Sequence, residues 1–313
     1  MIDAVTVGET MAMVRTKNPG RPLNQDSCTL AIGGAESNVA IGLARLGYRV
    51  RWISALGADA FGDMIDSALR LEGVEVVAPR SADRPTGLMV KSPSTGSERF
   101  VSYYRAGSAA AAMNPDSVND DLLRDARLLH LTGITPALSE SARRLSLDLA
   151  ARAKALGLAV SLDINFRPAL WSAQQAAVIL RELAANANLI FGDRAELELL
   201  FEAGPASDRD LLAEVSKFGA EHVVLKRGDR GALTLVAGQF FEQPAIQVEV
   251  VDTVGAGDAF VAGYLSGWLD SAEPTDSLLR GVICGAQACE NAGDWEGAPT
   301  REQVESAKLE LAS

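Results

Sequence analysis

Asp252-Thr253-Val254-Gly255-Ala256-Gly257-Asp258-Ala259-Phe260 sets two glycines and a carboxylate where a loop runs into a helix. Val248 to Val251 before it reads as a short apolar strand, and Ala259 to Leu269 after it as a helix with a small, apolar face. A Gly-rich turn at a helix N-terminus leaves several backbone N–H groups unpaired and aimed at one point, with the helix dipole behind them. That makes an anion site. Glycine serves there because a side chain would block close approach of the anion or forbid the backbone angles. Asp258 is the odd member, since a carboxylate repels a phosphate. One reading is a helix cap beside a plain turn. The chemical reading is a general base that takes a proton from a hydroxyl attacking phosphorus. No Lys-Ser/Thr follows the glycines, so this is not a Walker A loop.

Working outward, 313 residues are enough for one large α/β domain or two smaller ones, and 48% hydrophobic residues mark a globular chain. Forty-one acidic against 29 basic residues give a net charge of −12. That argues against a general nucleic-acid binder or a binder of anionic membranes. It makes any clustered arginines informative. Cys28, Cys284 and Cys289 form no C-x-x-C pair, which fits reduced, cytosolic thiols better than a disulfide framework. His130 and His222 stand apart beside apolar runs and read as strand-end or core residues rather than metal ligands. No basic, apolar leader precedes the first strand, and no apolar run is long enough to span a bilayer.

Along the chain, Ala4 to Val7 reads as a strand ending at Gly8, Glu36 to Leu46 as a helix stopped by Gly47, and Val50 to Leu56 as a second strand. A helix through Leu71 closes at Gly73. Thr86 to Lys91 and Arg99 to Tyr104 then read as a β-hairpin around the turn-forming cluster Ser92 to Ser97. Beyond it a βα rhythm returns, with strands at 128–131, 158–162, 189–191 and 222–226 and helices at 140–155, 173–185 and 208–218. Short strands follow at 233–236, 240–241 and 246–251, and helices at 277–291 and 301–311. Alternating strands and helices predict a mostly parallel sheet covered on both faces, with ligands beyond the carboxyl ends of its strands.

Gly33-Gly34-Ala35-Glu36-Ser37-Asn38-Val39-Ala40 offers a bare backbone on which a polyol can lie and, in Asn38, both a donor and an acceptor. Its plainer reading is a Gly-Gly turn before a helix. Together with the 252–260 string it resembles the two signatures of the PfkB/ribokinase family of sugar kinases, and the resemblance covers essentially the whole chain. It implies a single ribokinase-like doubly wound α/β domain over 1–313. A small β-lid would come from about 28–33 and 86–106. The cofactors implied are ATP and Mg2+, with a potassium-like monovalent cation beside the anion loop left open. By the same resemblance Asp258 is the base, and the backbone of Gly255, Ala256 and Gly257 holds the transferring phosphoryl group. Lys226-Arg227-Gly228-Asp229-Arg230-Gly231-Ala232, after a strand, looks like the family's nucleotide-side loop. Asn165, Lys226, Gly228, Asp229, Gly231, Gly255 and Gly257 are therefore expected near ATP. Asp193-Arg194-Ala195-Glu196 stands where the family has Asn-x-x-Glu, which organises magnesium. Glu196 is the expected metal residue, and Asp193 replaces the usual Asn.

Tyr103-Tyr104-Arg105 and Asp163-Ile164-Asn165-Phe166-Arg167-Pro168, with Trp171, bear on the substrate. A sugar acid calls for a guanidinium clamp, which a neutral hexose does not need. The plainer readings are a solvated Arg105 and an Arg167–Asp163 ion pair. These segments are similar to those of the 2-keto-3-deoxygluconate kinases of the family. That likeness implies that Gly34, Asn38, Tyr103, Arg105, Arg167, Asp258 and Asp294 contact the substrate. The expected reaction is ATP-dependent phosphorylation of the 6-hydroxyl of 2-keto-3-deoxygluconate or its galacto epimer. A fructokinase, a ribokinase, a nucleoside kinase or a silent sugar-binding protein are the alternatives. Exposed strand edges on the lid point to a homo-oligomer.

Overall fold

The computed structural model describes residues 1–18, 20, 26–95 and 98–311. In chain order the strands are β1 (Ile2–Val7), β2 (Met11–Thr16), β3 (Cys28–Gly33), β4 (Val50–Ile53), β5 (Leu56–Gly57), β6 (Glu75–Val77), β7 (Arg80–Ser81), β8 (Leu88–Thr95), β9 (Glu98–Tyr104), β10 (Ala126–Thr132), β11 (Ala159–Asp163), β12 (Leu189–Gly192), β13 (His222–Lys226), β14 (Ala232–Val236) and β15 (Gln239–Gln243). The helices are α1 (Ala35–Arg45), α2 (Ala60–Leu71), α3 (Thr135–Leu138), α4 (Glu140–Ala155), α5 (Ala173–Ala184), α6 (Arg194–Glu198), α7 (Asp208–Ser216), α8 (Ala256–Leu269), α9 (Pro274–Cys289) and α10 (Arg301–Leu311).

The main sheet runs β15-β14-β13-β12-β11-β10-β1-β4-β6. From β13 to β6 its neighbours are parallel; β14 and β15 close one edge antiparallel. Its strands alternate between two apolar layers, as a pleat buried on both faces requires. Val5, Val7, Leu129, Leu131, Ile190, Val223 and Leu225 pack toward Leu145, Leu149, Leu180 and Leu211 of α4, α5 and α7. Ala4, Leu128, Leu189, Phe191 and Val224 pack toward Ile41, Leu43, Val261, Leu265 and Ile283 of α1, α8 and α9. The chain steps outward one way through β4 and β6 and the other way through β10, β11, β12 and β13. The switch therefore falls beside β1, where a crevice opens at the carboxyl ends of the strands.

A second sheet, β3-β2-β8-β9, stands at that end. The expected hairpin is β8–β9, antiparallel from Leu88↔Tyr104. β2 lies between it and β3, parallel to β8. The apolar run Met11-Ala12-Met13 that begins β2 is buried, and sequence reading did not mark this strand. Two expectations are corrected. Ser92 to Thr95 belongs to β8, whose pairing with β9 shifts register between Ser92 and Thr95; Gly96 and Ser97 of the expected turn lie outside the described residues. The segment 246–251 forms no strand. Its Val250 and Val251 are exposed, and the Val251 N–H donates to the carbonyl of Cys289, the last residue of α9, rather than to a sheet neighbour.

Helix α8 starts three residues earlier than expected, with Gly255 as its N-cap at φ +77°. A Cβ there would overlap the carbonyl oxygen of Asp294. Both the left-handed backbone and the close approach demand glycine. Gly255→Ala is therefore expected to cost about 2 kcal/mol or more. Urea unfolding would measure it, and an unchanged midpoint would contradict the close approach.

Candidate active site

Four polar residues of the crevice are delivered by a strand end or a helix start. Glu9 follows β1, Asp163 ends β11, Lys226 ends β13, and Asp258 lies in the first turn of α8. Gly34 is the N-cap of α1, and Asn38 sits one turn into that helix. α1 and α8 pack face to face so closely that a Cβ on Gly42 would press on the Ala262 methyl at 2.7 Å. That contact brings Asn38 to Asp258: the Asn38 Nδ2 donates to Asp258 Oδ2 at 2.8 Å. Asn38 was expected to touch substrate; in the structure its amide is engaged by the carboxylate of the expected base.

Burial pushes the Asp258 carboxyl up to about 7. The nearby charge of Asp163 adds to the rise, while the Asn38 hydrogen bond, Lys226 and Arg167 oppose it. A carboxylate that gains and loses its proton near neutrality is suited to general base work.

Beside the first turn of α8 lies a charged corner. Lys226 Nζ donates to both oxygens of buried Asp163 at 2.8 Å, so Asp163 is paired with Lys226 and not with Arg167. A Cβ on Gly257 would lie 3.8 Å from that ammonium, which places Lys226 next to the anion loop. Burial works against the Lys226 charge, but Asp163 and Glu196 overcome it and hold the ammonium above its ordinary value. Burial likewise pushes the Glu196 carboxyl up. Asp193 caps α6, accepting from the Glu196 N–H at 2.8 Å, while Glu196 accepts from the Asp193 N–H at 2.8 Å and the Phe166 N–H at 3.1 Å. Asp thus does the capping that Asn would do. Among the described residues, no cluster of three or more His, Cys, Asp and Glu side chains is preformed for a metal. A cation here needs oxygens from elsewhere. Magnesium accepts this, since it keeps waters and phosphate oxygens as ligands. The corner fits it: the carboxylates of Asp163, Asp193 and Glu196 outnumber the one ammonium of Lys226.

On the other side of Asp258 opens a cavity of about 740 Å³, lined by Gly34, Asn38, Tyr103, Arg105, Arg167 and Asp294, among others. It unites the substrate residues expected from sequence. Its volume suits a small polar molecule. Its two expected arginines differ in state. Arg105 is not a solvated cation: its Nε donates to Glu9 Oε2 at 2.6 Å, and Glu9 is only 2% exposed. Ser108 Oγ donates to the other Glu9 oxygen. Arg167 is exposed to the cavity and makes no salt bridge among the described residues. Asp294 receives Lys91 at 3.3 Å, and burial pushes its carboxyl up against the pull of that lysine.

Several expected residues lie outside this cavity. Gly228 and Asp229 form a short turn between β13 and β14, and Gly231 ends it at φ +85°. Arg227 of the same turn is bound to Glu242 at 2.6 Å. Asn165 is buried at φ +38° just past β11. Trp171 is packed into the core, with Arg143 over its ring, and contributes nothing to the cavity. Sequence reading missed Glu9 and Lys91. Charged residues inside or beside apolar strands were the only signal for them.

Residues 1–301 match the family described as pfkB family carbohydrate kinase. A 2-dehydro-3-deoxygluconokinase of Bacillus subtilis is 38% identical over 310 residues, covering 97% of this chain and 95% of that protein. A PfkB protein from Polaromonas sp. JS666 superposes with a TM-score of 0.88 at 31% identity, covering 98% of this chain and all of the other. A putative ribokinase II of E. coli in complex with ATP and Mg2+ shares the fold, with a TM-score of 0.91 at 23% identity over 99% of this chain and 100% of that one. The chain belongs to the PfkB family of carbohydrate kinases.

The Asn38–Asp258 bond carries a testable sign. A hydrogen bond to a charged acceptor is worth roughly 1.5–3 kcal/mol and favours the ionised carboxylate. With Asp258 as the expected base, turnover requires the ionised form, so kcat/KM is expected to fall below about pH 7 in the parent. In Asn38→Ala the acid limb is expected to move up by about one pH unit or more. A pH profile with an unmoved limb would show that Asn38 does not hold the base.

Proposed function

We propose that this kinase transfers the terminal phosphoryl group of ATP to the 6-hydroxyl of 2-keto-3-deoxygluconate. The observation that carries the reading is one cavity holding both a base near neutrality and two guanidinium groups, one of them unpaired. Asp258 takes the proton of the attacking hydroxyl. The backbone N–H groups of Gly255, Ala256 and Gly257 receive the charge that develops on the transferring group, which is preorganisation at a helix N-terminus. Lys226 adds positive charge beside them. Arg105 and Arg167 hold the carboxylate of the sugar acid, so remote binding energy aligns the reacting oxygen. Arg105 is oriented for this by Glu9, and Arg167 supplies the uncompensated charge. Gly34, Tyr103 and Asp294 line the rest of the sugar's path.

Magnesium, when bound with ATP, neutralises phosphate charge; Glu196 and Asp193 would hold its water shell. Asn165, Gly228, Asp229 and Gly231 are assigned to the nucleotide side. Whether a potassium-like ion also sits beside the anion loop is left open. The whole chain is read as a single domain. The β3-β2-β8-β9 sheet is read as a lid that excludes water on closing. Its outer strands expose Leu30, Tyr103 and Tyr104, which suits burial against a second copy in a homodimer. A cytoplasmic setting fits the free cysteines. The names of similar proteins support a sugar acid over fructose, ribose or a nucleoside, and an intact Asp258 supports a catalyst over a silent binding protein.

Coupled ADP release on 2-keto-3-deoxygluconate, its galacto epimer, fructose, ribose and adenosine tests the reading. Preference for the keto acids is expected, and preference for a neutral sugar would overturn the clamp. Asp258→Asn is expected to abolish turnover while ATP still shifts the melting temperature. Arg105→Ala is expected to raise KM for the keto acid about tenfold or more with a smaller effect on kcat. Intact kcat/KM would remove Arg105 from recognition.

A further inference from the structure

One cation at the edge of the cavity has no part in the steps above. Lys91 lies on β8, in the sheet whose neighbouring strand β9 leads into Arg105. Its ammonium reaches across to Asp252 Oδ2 at 3.1 Å and Asp294 Oδ1 at 3.3 Å. Both carboxylates belong to the support of the anion loop. Asp252 opens that loop, and its other oxygen accepts from the Val254 N–H at 3.1 Å. Asp294 presses its carbonyl against Gly255, the N-cap of α8. A single side chain of the second sheet thus touches both segments that fix the turn at Gly255. Arg15 on β2 adds a second tie, to Glu296 at 3.1 Å, but that bond does not reach the loop.

The charges make Lys91 more than a fastener. Two carboxylates face one ammonium. Without it they would repel each other and the phosphates expected beside the same loop. Asp294 is also nearly buried, where an uncompensated charge is expensive.

We propose that Lys91 is a positioning residue that couples the second sheet to the anion loop, its ammonium acting as a fixed counter-cation for Asp252 and Asp294. The inference rests on the kinase reading of that loop and not on the identity of the sugar. Closure of the sheet over a substrate then sets the loop through Lys91, and the loop needs no inorganic cation at this position.

The test uses Lys91→Ala in the full chain, with whichever sugar the parent phosphorylates fastest. The wrong sugar would show in the parent alone; the role of Lys91 shows in the ratio of variant to parent. The parent is expected to be indifferent to ammonium chloride against tetramethylammonium chloride at equal ionic strength. The variant is expected to lose about tenfold or more in kcat and to regain several-fold with ammonium but not with tetramethylammonium. Lys91→Arg, which keeps a cation, is expected to stay within about threefold of the parent. Should the alanine variant not fold, Lys91→Gln takes its place against Lys91→Arg, with the same loss expected. A kcat for the neutral variant within twofold of the parent, a loss that ammonium does not reverse in the alanine variant, or equal losses for the neutral and Arg variants would each overturn the proposal.

Discussion

The Asn38–Asp258 hydrogen bond joins the N-terminal and the C-terminal glycine strings at the carboxylate proposed as the base. It exists because α1 and α8 lie in contact, and they lie in contact because small residues face each other, Gly42 against Ala262. The bond solves a problem set by the site itself. A general base must be sheltered enough to raise its affinity for a proton, yet ionised often enough to act. Burial alone would drive Asp258 too far toward its neutral form. An amide donor, a lysine and an arginine bring it back to about 7. The apolar layer under α1 and α8 is thus the means by which a carboxylate is tuned, as well as a source of stability.

The same economy of charge runs through the crevice. An acidic chain spends its cations in pairs: Lys226 with Asp163, Arg105 with Glu9, Lys91 with Asp252 and Asp294. Buried charges are costly singly and tolerable in such pairs. The pairs also hold each cation at a defined point, which a solvated side chain would not be. Arg167 is the exception, exposed and without an ion pair among the described residues. An unpaired guanidinium in a cavity is the group best placed to attract an anionic ligand. A paired one contributes hydrogen-bond geometry with little net charge.

Much of this could be read before any coordinates. The βα rhythm predicted the parallel sheet because strands buried on both faces write near-continuous apolar runs. The glycine strings predicted both helix starts, since a left-handed or closely approached backbone admits little else. Local signals failed where long-range partners decided the outcome. The stretch 246–251 has the composition of a strand, yet no neighbour pairs with it, so composition misled. β2 was overlooked because it leaves β1 after only three residues and joins a different sheet. Glu9 and Lys91 were invisible for the same reason: nothing local says that an acidic residue after β1 will meet an arginine 96 positions on, or that a lysine on β8 will meet Asp252, 161 positions away. The opposite error occurred at Trp171, which sequence reading grouped with the 163–168 segment as bearing on the substrate. In the structure the ring is core, and the arginine over it is Arg143.

The second sheet shows how fold and chemistry constrain one another. Its strands are bound to the body by side chains more than by continuous hydrogen bonding. Arg105 meets Glu9 on one side of the cavity, and Lys91 meets Asp252 and Asp294 on another. A large apolar seam in those places would give more stability, but it would leave no path for a polar ligand. Ion pairs keep the cavity walls polar. The apolar share of this sheet is correspondingly small, a cluster of Met11, Met13 and Met89 with Ala31. Methionine suits that place: unbranched and adaptable, it keeps contact through small shifts of the strands above it. The most weakly cored part of the molecule is therefore the part assigned to open and close.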